Sequence, residues 1–166
     1  MIFLTVGTQL PFDRLVELLD GWAARNPDIK IFAQIGDAAY QPQHFEYCAF
    51  LNEKEYATAF DGADFILAHA GMGTILSSLM AGKPVVVFPR IAALGEHRNE
   101  HQLATCRKLE ELKGCYIAYE NDELLRLLDN LQSLEGEQIS PFASDELLDS
   151  LDRFISNDGL PLPTSP

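Results

Sequence analysis

The sequence predicts an α/β fold in which a parallel sheet is covered by helices on both faces. Short β-rich apolar runs alternate with stretches of helical periodicity along most of the 166 residues. The runs are nearly continuous in apolar residues, as in Val85-Val86-Val87-Phe88, which marks strands buried on both sides. Two successive strand-to-helix junctions also carry unusual polar residues, the pattern of one ligand bound across the carboxyl ends of neighbouring parallel strands.

Each element has a local reason. Ile2 to Val6 reads as the first strand, and after Gly7-Thr8-Gln9-Leu10-Pro11 the positions Leu15, Val16, Leu18, Leu19 and Trp22 mark a helix that tolerates Pro11 near its start. Ile29 to Ile35 is a second strand ending at Gly36. Phe45 to Phe50 is a third, and Asn52-Glu53-Lys54-Glu55 then caps a helix running through Phe60. Asp64 to Ala68 is the fourth strand. It feeds the glycine loop and a helix from Thr74 to Met80, stopped at Gly82 with Pro84 just beyond. Val85 to Phe88 is the fifth strand, His101 to Leu112 a helix ending at Gly114, and Tyr116 to Tyr119 the sixth strand. Asn121 is expected to cap a helix carrying Leu124, Leu125, Leu127, Leu128 and Leu131.

After Glu135-Gly136-Glu137 the pattern loosens. Ser144-Asp145-Glu146 starts a last helix with Leu147, Leu148, Leu151, Phe154 and Ile155 on one face. That face packs back on its own sheet or docks on a second protein. Gly159 to Pro166 holds three prolines and is expected to fray. The expected organisation is one ligand-binding domain over 1–135, followed by a linker, an amphipathic helix and a frayed tail over 136–166.

Composition narrows the function. A chain with 47% hydrophobic residues supports a single domain with a real core. Its net charge of −13 argues against nucleic acid, which needs a basic surface, yet a small phosphorylated ligand can still be held locally. Cys48, Cys106 and Cys115 are odd in number and at no metal-like spacing, so reduced thiols in a cytoplasmic protein are expected. The first apolar run is too short for a signal peptide and lacks a basic lead. No window approaches the ~20 apolar residues of a membrane span, so membrane association is expected only through a partner or a surface helix.

The best clue to function is Phe65-Ile66-Leu67-Ala68-His69-Ala70-Gly71-Met72-Gly73-Thr74-Ile75-Leu76, a buried strand breaking through two glycines into a helix. Such a junction aims unpaired helix N–H groups at an anion. The second polar cluster is Arg90 followed by Gly95-Glu96-His97-Arg98-Asn99-Glu100-His101-Gln102. Gly71-Met72-Gly73 only superficially matches a dinucleotide fingerprint, because Leu76 stands where the third glycine belongs and the loop follows the fourth strand. No Gly-Lys-Ser or Gly-Lys-Thr phosphate loop occurs. His97 and His101 have metal-ligand spacing, but no metalloprotease glutamate follows His97 and Arg98 disfavours a cation. An Asp-x-Asp metal motif is missing too, so no metal and no cofactor are expected. Ser77 and Ser78 lie inside a helix without a nucleophile elbow.

Met1 to Gln9 with Pro11-Phe12-Asp13, the His69 to Leu76 loop, Gly82-Lys83-Pro84 and Gly95 to Ala104 together resemble the carboxyl-terminal domain of glycosyltransferase family 28. The resemblance is closest to small stand-alone members, like the catalytic subunit of the two-part N-acetylglucosamine transferase of dolichol-linked glycan synthesis and bacterial exopolysaccharide counterparts. It implies a Rossmann-like sheet, the donor-binding half of a two-domain GT-B enzyme, with no room in this chain for the other half. It also implies an inverting transfer of a sugar from a UDP-sugar to a lipid-linked or polysaccharide acceptor, completed by a membrane-anchored partner that keeps a cytoplasmic subunit at the membrane face.

The same resemblance implies site roles. Gly71, Met72, Gly73 and Thr74 would hold the donor diphosphate, Glu100, His101 and Gln102 would read the sugar, and Arg98 would offset leaving-group charge beside it. Arg90 and Ser77 would face the nucleoside, Ser77 standing where many relatives carry an acidic ribose ligand. Gly7, Thr8 and Gln9 would line the cleft facing the acceptor, and His69 is the internal candidate for the catalytic base. A homo-oligomeric, epimerase-like sugar-nucleotide enzyme and a regulatory module without chemistry are the alternative readings.

Overall fold

The computed structural model describes residues 1–98 and 101–139, apart from the side chains of residues 101 and 104. Six strands form one parallel sheet: β1 (Ile2–Thr5), β2 (Ile31–Gln34), β3 (Glu46–Cys48), β4 (Phe65–Ala68), β5 (Val85–Val87) and β6 (Cys115–Ile117). Their spatial order is β3-β2-β1-β4-β5-β6, so the chain winds outward from β1 in one direction and then from β4 in the other. The helices α1 (Asp13–Ala23), α2 (Glu53–Asp61), α3 (Met72–Met80), α4 (His101–Leu109) and α5 (Asn121–Asp129) connect or follow the strands, with short 3-10 turns at Ala92–Leu94 and Leu131–Ser133.

Alternation along each strand builds two cores. Ile2 and Leu4 of β1, Leu67 of β4 and Val86 of β5 turn to the face covered by α1 and α5, beside Leu15, Leu19, Leu124 and Leu128. Phe3, Ile66, Val85 and Val87 turn to the other face and meet Phe60, Ile75, Leu79, Cys106 and Leu109. Phe3 is fully buried and its ring stands edge-on to Tyr56, 5.4 Å between centroids. Truncating it to alanine would cost about 3–5 kcal/mol, lost transfer energy and cavity together.

The helix ends follow ordinary chemistry. Asn52 and Glu55 exchange side-chain and backbone hydrogen bonds at the start of α2, as the sequence predicts. Gly82 takes φ +66° just beyond α3, a conformation glycine adopts freely. At α5 the expectation needs correcting. Glu120, not Asn121, is the capping residue, in a reciprocal box with Glu123. The strands are also shorter than their apolar runs: Val6 and Phe88 still donate to Gln34 O at 3.1 Å and Ala68 O at 2.9 Å, and from them the chain turns into the loops at the carboxyl edge.

Residues 136–139, expected in a linker, stay on the domain. Gly136 is pressed against the Gly82 carbonyl, Ile139 N–H bonds to Leu79 O at 3.1 Å and Gln138 donates its amide to Met80 O at 3.0 Å. The amphipathic run 144–155 and the tail lie outside the described residues. Among the described residues no helix is long and apolar enough to cross a membrane.

Candidate functional site

The strand order reverses between β1 and β4, and a cleft of about 600 Å³ opens at the carboxyl ends of these two strands. Gly7, Thr8, Gln9 and Leu10 form one wall. Ala70, Gly71, Gly73 and Thr74 form the opposite one, and Arg90, His97, Gln102 and Thr105 close a third side. A larger hollow of about 1040 Å³ lies against α2 near Met1, Lys30 and Ile31, and the helix N-terminus that borders it is already capped by Asn52 and carries the carboxylates of Glu53 and Glu55. The smaller cleft therefore has the better anion-binding chemistry. Gly71 caps α3, and its own N–H turns back to His69 O at 2.7 Å. The N–H groups of Met72, Gly73 and Thr74 in the first turn have no carbonyl one turn earlier to bond, and the positive end of the helix dipole is concentrated there.

His69 sits between the two loops. A Cβ on Gly7 would lie 2.7 Å from its Cε1, and one on Gly71 would lie 2.5 Å from its Nε2. Both glycines are thus required by the imidazole, and Gly7 also takes φ +77°. Gly73 differs, since a Cβ there meets nothing within 4 Å. Burial, followed by the charge of Arg90, pushes the His69 pKa down to about 4, so the ring is neutral at pH 7. Among the described residues its buried Nδ1 has no hydrogen-bond partner.

Arg90 is almost fully buried and acts as a brace. Its guanidinium donates to Val6 O at 2.7 Å, Leu10 O at 2.6 Å, Pro11 O and, more weakly, Glu96 O at 3.4 Å. It also lies 4.7 Å from the centre of the Phe12 ring. Burial lowers its pKa to about 10, which leaves it charged. Gln102 performs a related task from α4. Its side-chain carbonyl accepts from Arg90 N at 2.9 Å and Ala70 N at 3.3 Å, joining the loops after β4 and β5. Arg14 of α1 binds Glu96 with both Nε and Nη2, at 2.6 and 2.9 Å, and lies 4.2 Å over the Phe88 ring. Glu96 in turn accepts from Ile91 N at 2.8 Å, which fixes the turn that precedes α4.

The sequence model of the glycosyltransferase family 28 C-terminal domain matches residues 1–147. The chain belongs to this family. It is 24% identical over 173 aligned positions to the UDP-N-acetylglucosamine--N-acetylmuramyl-(pentapeptide) pyrophosphoryl-undecaprenol N-acetylglucosamine transferase of Christiangramia forsetii, covering 93% of this chain and 46% of that protein. It is 34% identical over 73 positions to the UDP-N-acetylglucosamine transferase subunit ALG13 of Kluyveromyces lactis, covering 43% of this chain and 35% of that protein. The chain spans less than half the length of these curated relatives. The NMR solution structure of ALG13 shares the fold, with a TM-score of 0.61 at 19% identity over 92% of this chain and 93% of that one.

Within this family 28 domain, the cleft brings together Gly7, Thr8, Gln9, His69, Gly71, Gly73, Thr74, Arg90 and Gln102. Three expected residues stand apart from its lining. Met72 and Ser77 project from α3 as exposed residues, and Arg98 is exposed in the loop before α4. His97 belongs to that same loop rather than to the helix, so the shared helix face with His101 does not form. Glu100 and the side chain of His101 lie outside the described residues. Thr105 was not anticipated. It lies one turn beyond Gln102 on α4, and that three-residue spacing is the signal that could have found it. Gln34 was missed as well. Its amide donates to Gly7 O at 2.9 Å and Ala49 O at 3.1 Å, and its carbonyl accepts from Thr5 Oγ1 at 2.6 Å, holding the β1 loop from below.

Proposed function

We propose that this chain binds a UDP-sugar in the β1/β4 cleft and serves as the donor-binding and catalytic subunit of an inverting glycosyltransferase. The observation that carries the reading is the first turn of α3, whose free N–H groups open onto the cleft at the switch point through a glycine that packs against nothing. Met72, Gly73 and Thr74 would donate backbone N–H groups to the diphosphate. Ser77, at the outer side of α3, would meet the ribose only if the nucleoside runs along that helix, while Arg98, Glu100, His101 and Gln102 would approach the sugar. Arg90 shapes the nucleoside side of the cleft by holding the β1 loop.

In the transfer, an acceptor hydroxyl oxygen attacks the anomeric carbon as the bond to the UDP oxygen breaks on the opposite face. The charge that develops on the leaving diphosphate falls where the α3 dipole stabilises it, so binding needs no divalent metal. The proton goes to a base beside the acceptor. His69 is neutral and hence able to accept, but a pKa near 4 makes it a weak base, so its larger contribution is to set the spacing of the two loops. The acceptor, lipid-linked or polysaccharide, would arrive on a membrane-anchored partner subunit that also forms the second wall of the cleft, and the chain would work from the cytoplasmic side.

Calorimetric titration of the purified chain with UDP and UDP-N-acetylglucosamine tests the donor site. Equal affinity with magnesium and with a chelator is expected, and Gly73→Val should abolish binding while leaving cooperative melting intact. Undiminished binding by that variant would remove the diphosphate from α3, and binding lost to the chelator would refute the metal-free site.

A further inference from the structure

The turn between β5 and α4 buries none of the residues of its short helix, Ala92–Leu94, and leaves Leu94 60% exposed, so core packing does not fix it. Hydrogen bonds do, and they converge on Glu96. Its N–H donates to Ile91 O at 3.3 Å while Ile91 N–H donates to its carboxylate at 2.8 Å, so the turn is closed from both ends. Gly95 allows this by taking φ +75°, which folds the chain back on itself. The next residue, His97, lines the cleft.

Two arginines reach Glu96 from the opposite side of the cleft. Arg90 donates to its main-chain carbonyl at 3.4 Å and, with the same guanidinium, holds Val6, Leu10 and Pro11 around the β1 loop. Arg14 takes the carboxylate. It stands in the first turn of α1, 82 positions before Glu96, and donates through Nε and Nη2 to the two oxygens at 2.6 and 2.9 Å. Its other contacts are Pro89 O at 2.9 Å, Asn121 Oδ1 at 3.5 Å and the centre of the Phe88 ring at 4.2 Å, which orient the guanidinium toward Glu96. With side chains only 18% and 11% exposed, the pair loses to desolvation much of what it gains by attraction, so it contributes geometry more than stability. Neither residue lines the cleft, and any effect on a ligand must pass through the residues that do. We propose that Glu96, gripped by Arg14, positions the His97 wall of the cleft against the β1 loop, so that donor affinity depends on an ion pair outside the cleft. A lysine at position 14 keeps the charge but loses the two parallel donors, and a glutamine at 96 keeps the shape but turns an amide N–H₂ toward the guanidinium. Residues 91–97 are then released, and binding must order them again.

The identity of the donor rests on the function proposed above, and the experiment separates the two. Calorimetry of Arg14→Lys and Glu96→Gln with UDP-N-acetylglucosamine should show about tenfold weaker binding in each. The double variant should bind no more weakly than the worse single one, because both changes remove the same contact. In NMR spectra of the four histidine rings, Arg14→Lys should shift His97 and leave His44, which pairs with Asp20 at 3.2 Å, in place. Urea unfolding of the same proteins identifies a purely structural pair: variants that unfold earlier yet bind the donor with wild-type affinity overturn the proposal. So do penalties that multiply in the double variant, and so does an unmoved His97 ring in Arg14→Lys, even if Glu96→Gln fails to fold. If the wild-type protein binds no UDP compound, the donor reading fails by itself, and the His97 signal still decides the positioning.

Discussion

Two glycines in separate loops give up their side chains to one imidazole, which makes His69 the residue on which the cleft geometry turns. Its folded pKa of about 4 lies below the 6.5 of an unfolded histidine, so the unfolded chain binds the extra proton first. The stability this neutral ring contributes is therefore present above about pH 6.5 and lost as pH falls toward 4. That difference corresponds to about 3 kcal/mol. Urea unfolding across that window should show a steeper acid loss in the wild type than in His69→Asn, and parallel slopes would mean that the ring is not held neutral. Gly71→Ala belongs to the same argument. It should lower the melting temperature by driving a methyl group into His69, whereas Gly73→Ala, facing open space, should leave it nearly unchanged.

At the scale of elements, the apolar runs place the six strands and five helices of the described residues, most firmly the central β1, β4 and β5, because a strand buried on both faces admits little but Val, Ile, Leu, Phe and Ala; β3, with Glu46 and Tyr47 exposed at the sheet edge, is legible only from the apolar residues that flank it. The glycine loop was legible for the same reason that it is useful, since few other needs put two glycines between a buried strand and a helix. The roles of Arg90 and Gln102 were not legible. A polar side chain at a strand exit can serve a ligand or the backbone, and the carbonyls that Arg90 satisfies belong to Val6, Leu10 and Pro11, some 80 positions away in sequence. Arg90→Lys separates the two uses. A lysine ammonium cannot fork to these carbonyls, and leaving buried acceptors unmet costs about 1–3 kcal/mol each, so the variant should unfold at clearly lower urea with or without UDP. A variant as stable as wild type that only binds UDP more weakly would return Arg90 to the nucleoside.

At the scale of the whole molecule, the cleft is walled by loops of one sheet, and its remaining side opens outward between the β1 loop and α3. Transfer of a sugar to an alcohol rather than to water requires that water be excluded and the acceptor be held in line, which a cleft open on one side does not accomplish. In the Christiangramia forsetii relative the matched region is 46% of the protein, so there the family domain works beside as much chain again; on the function proposed above, a partner subunit supplies the second wall here. Charge bears on the same point. A molecule at −13 repels an anionic donor at long range, so UDP should bind more tightly as salt rises from low to moderate concentration, and a partner with a basic face would relieve that repulsion. The isolated chain is accordingly expected to bind UDP-N-acetylglucosamine without transferring its sugar, and membranes containing the partner should restore transfer to a lipid-linked acceptor. Labelled-sugar transfer measured with the chain alone, the membranes alone and both together decides it. Equal turnover by the chain alone would show that the cleft closes on itself, and the need for a second subunit would fall.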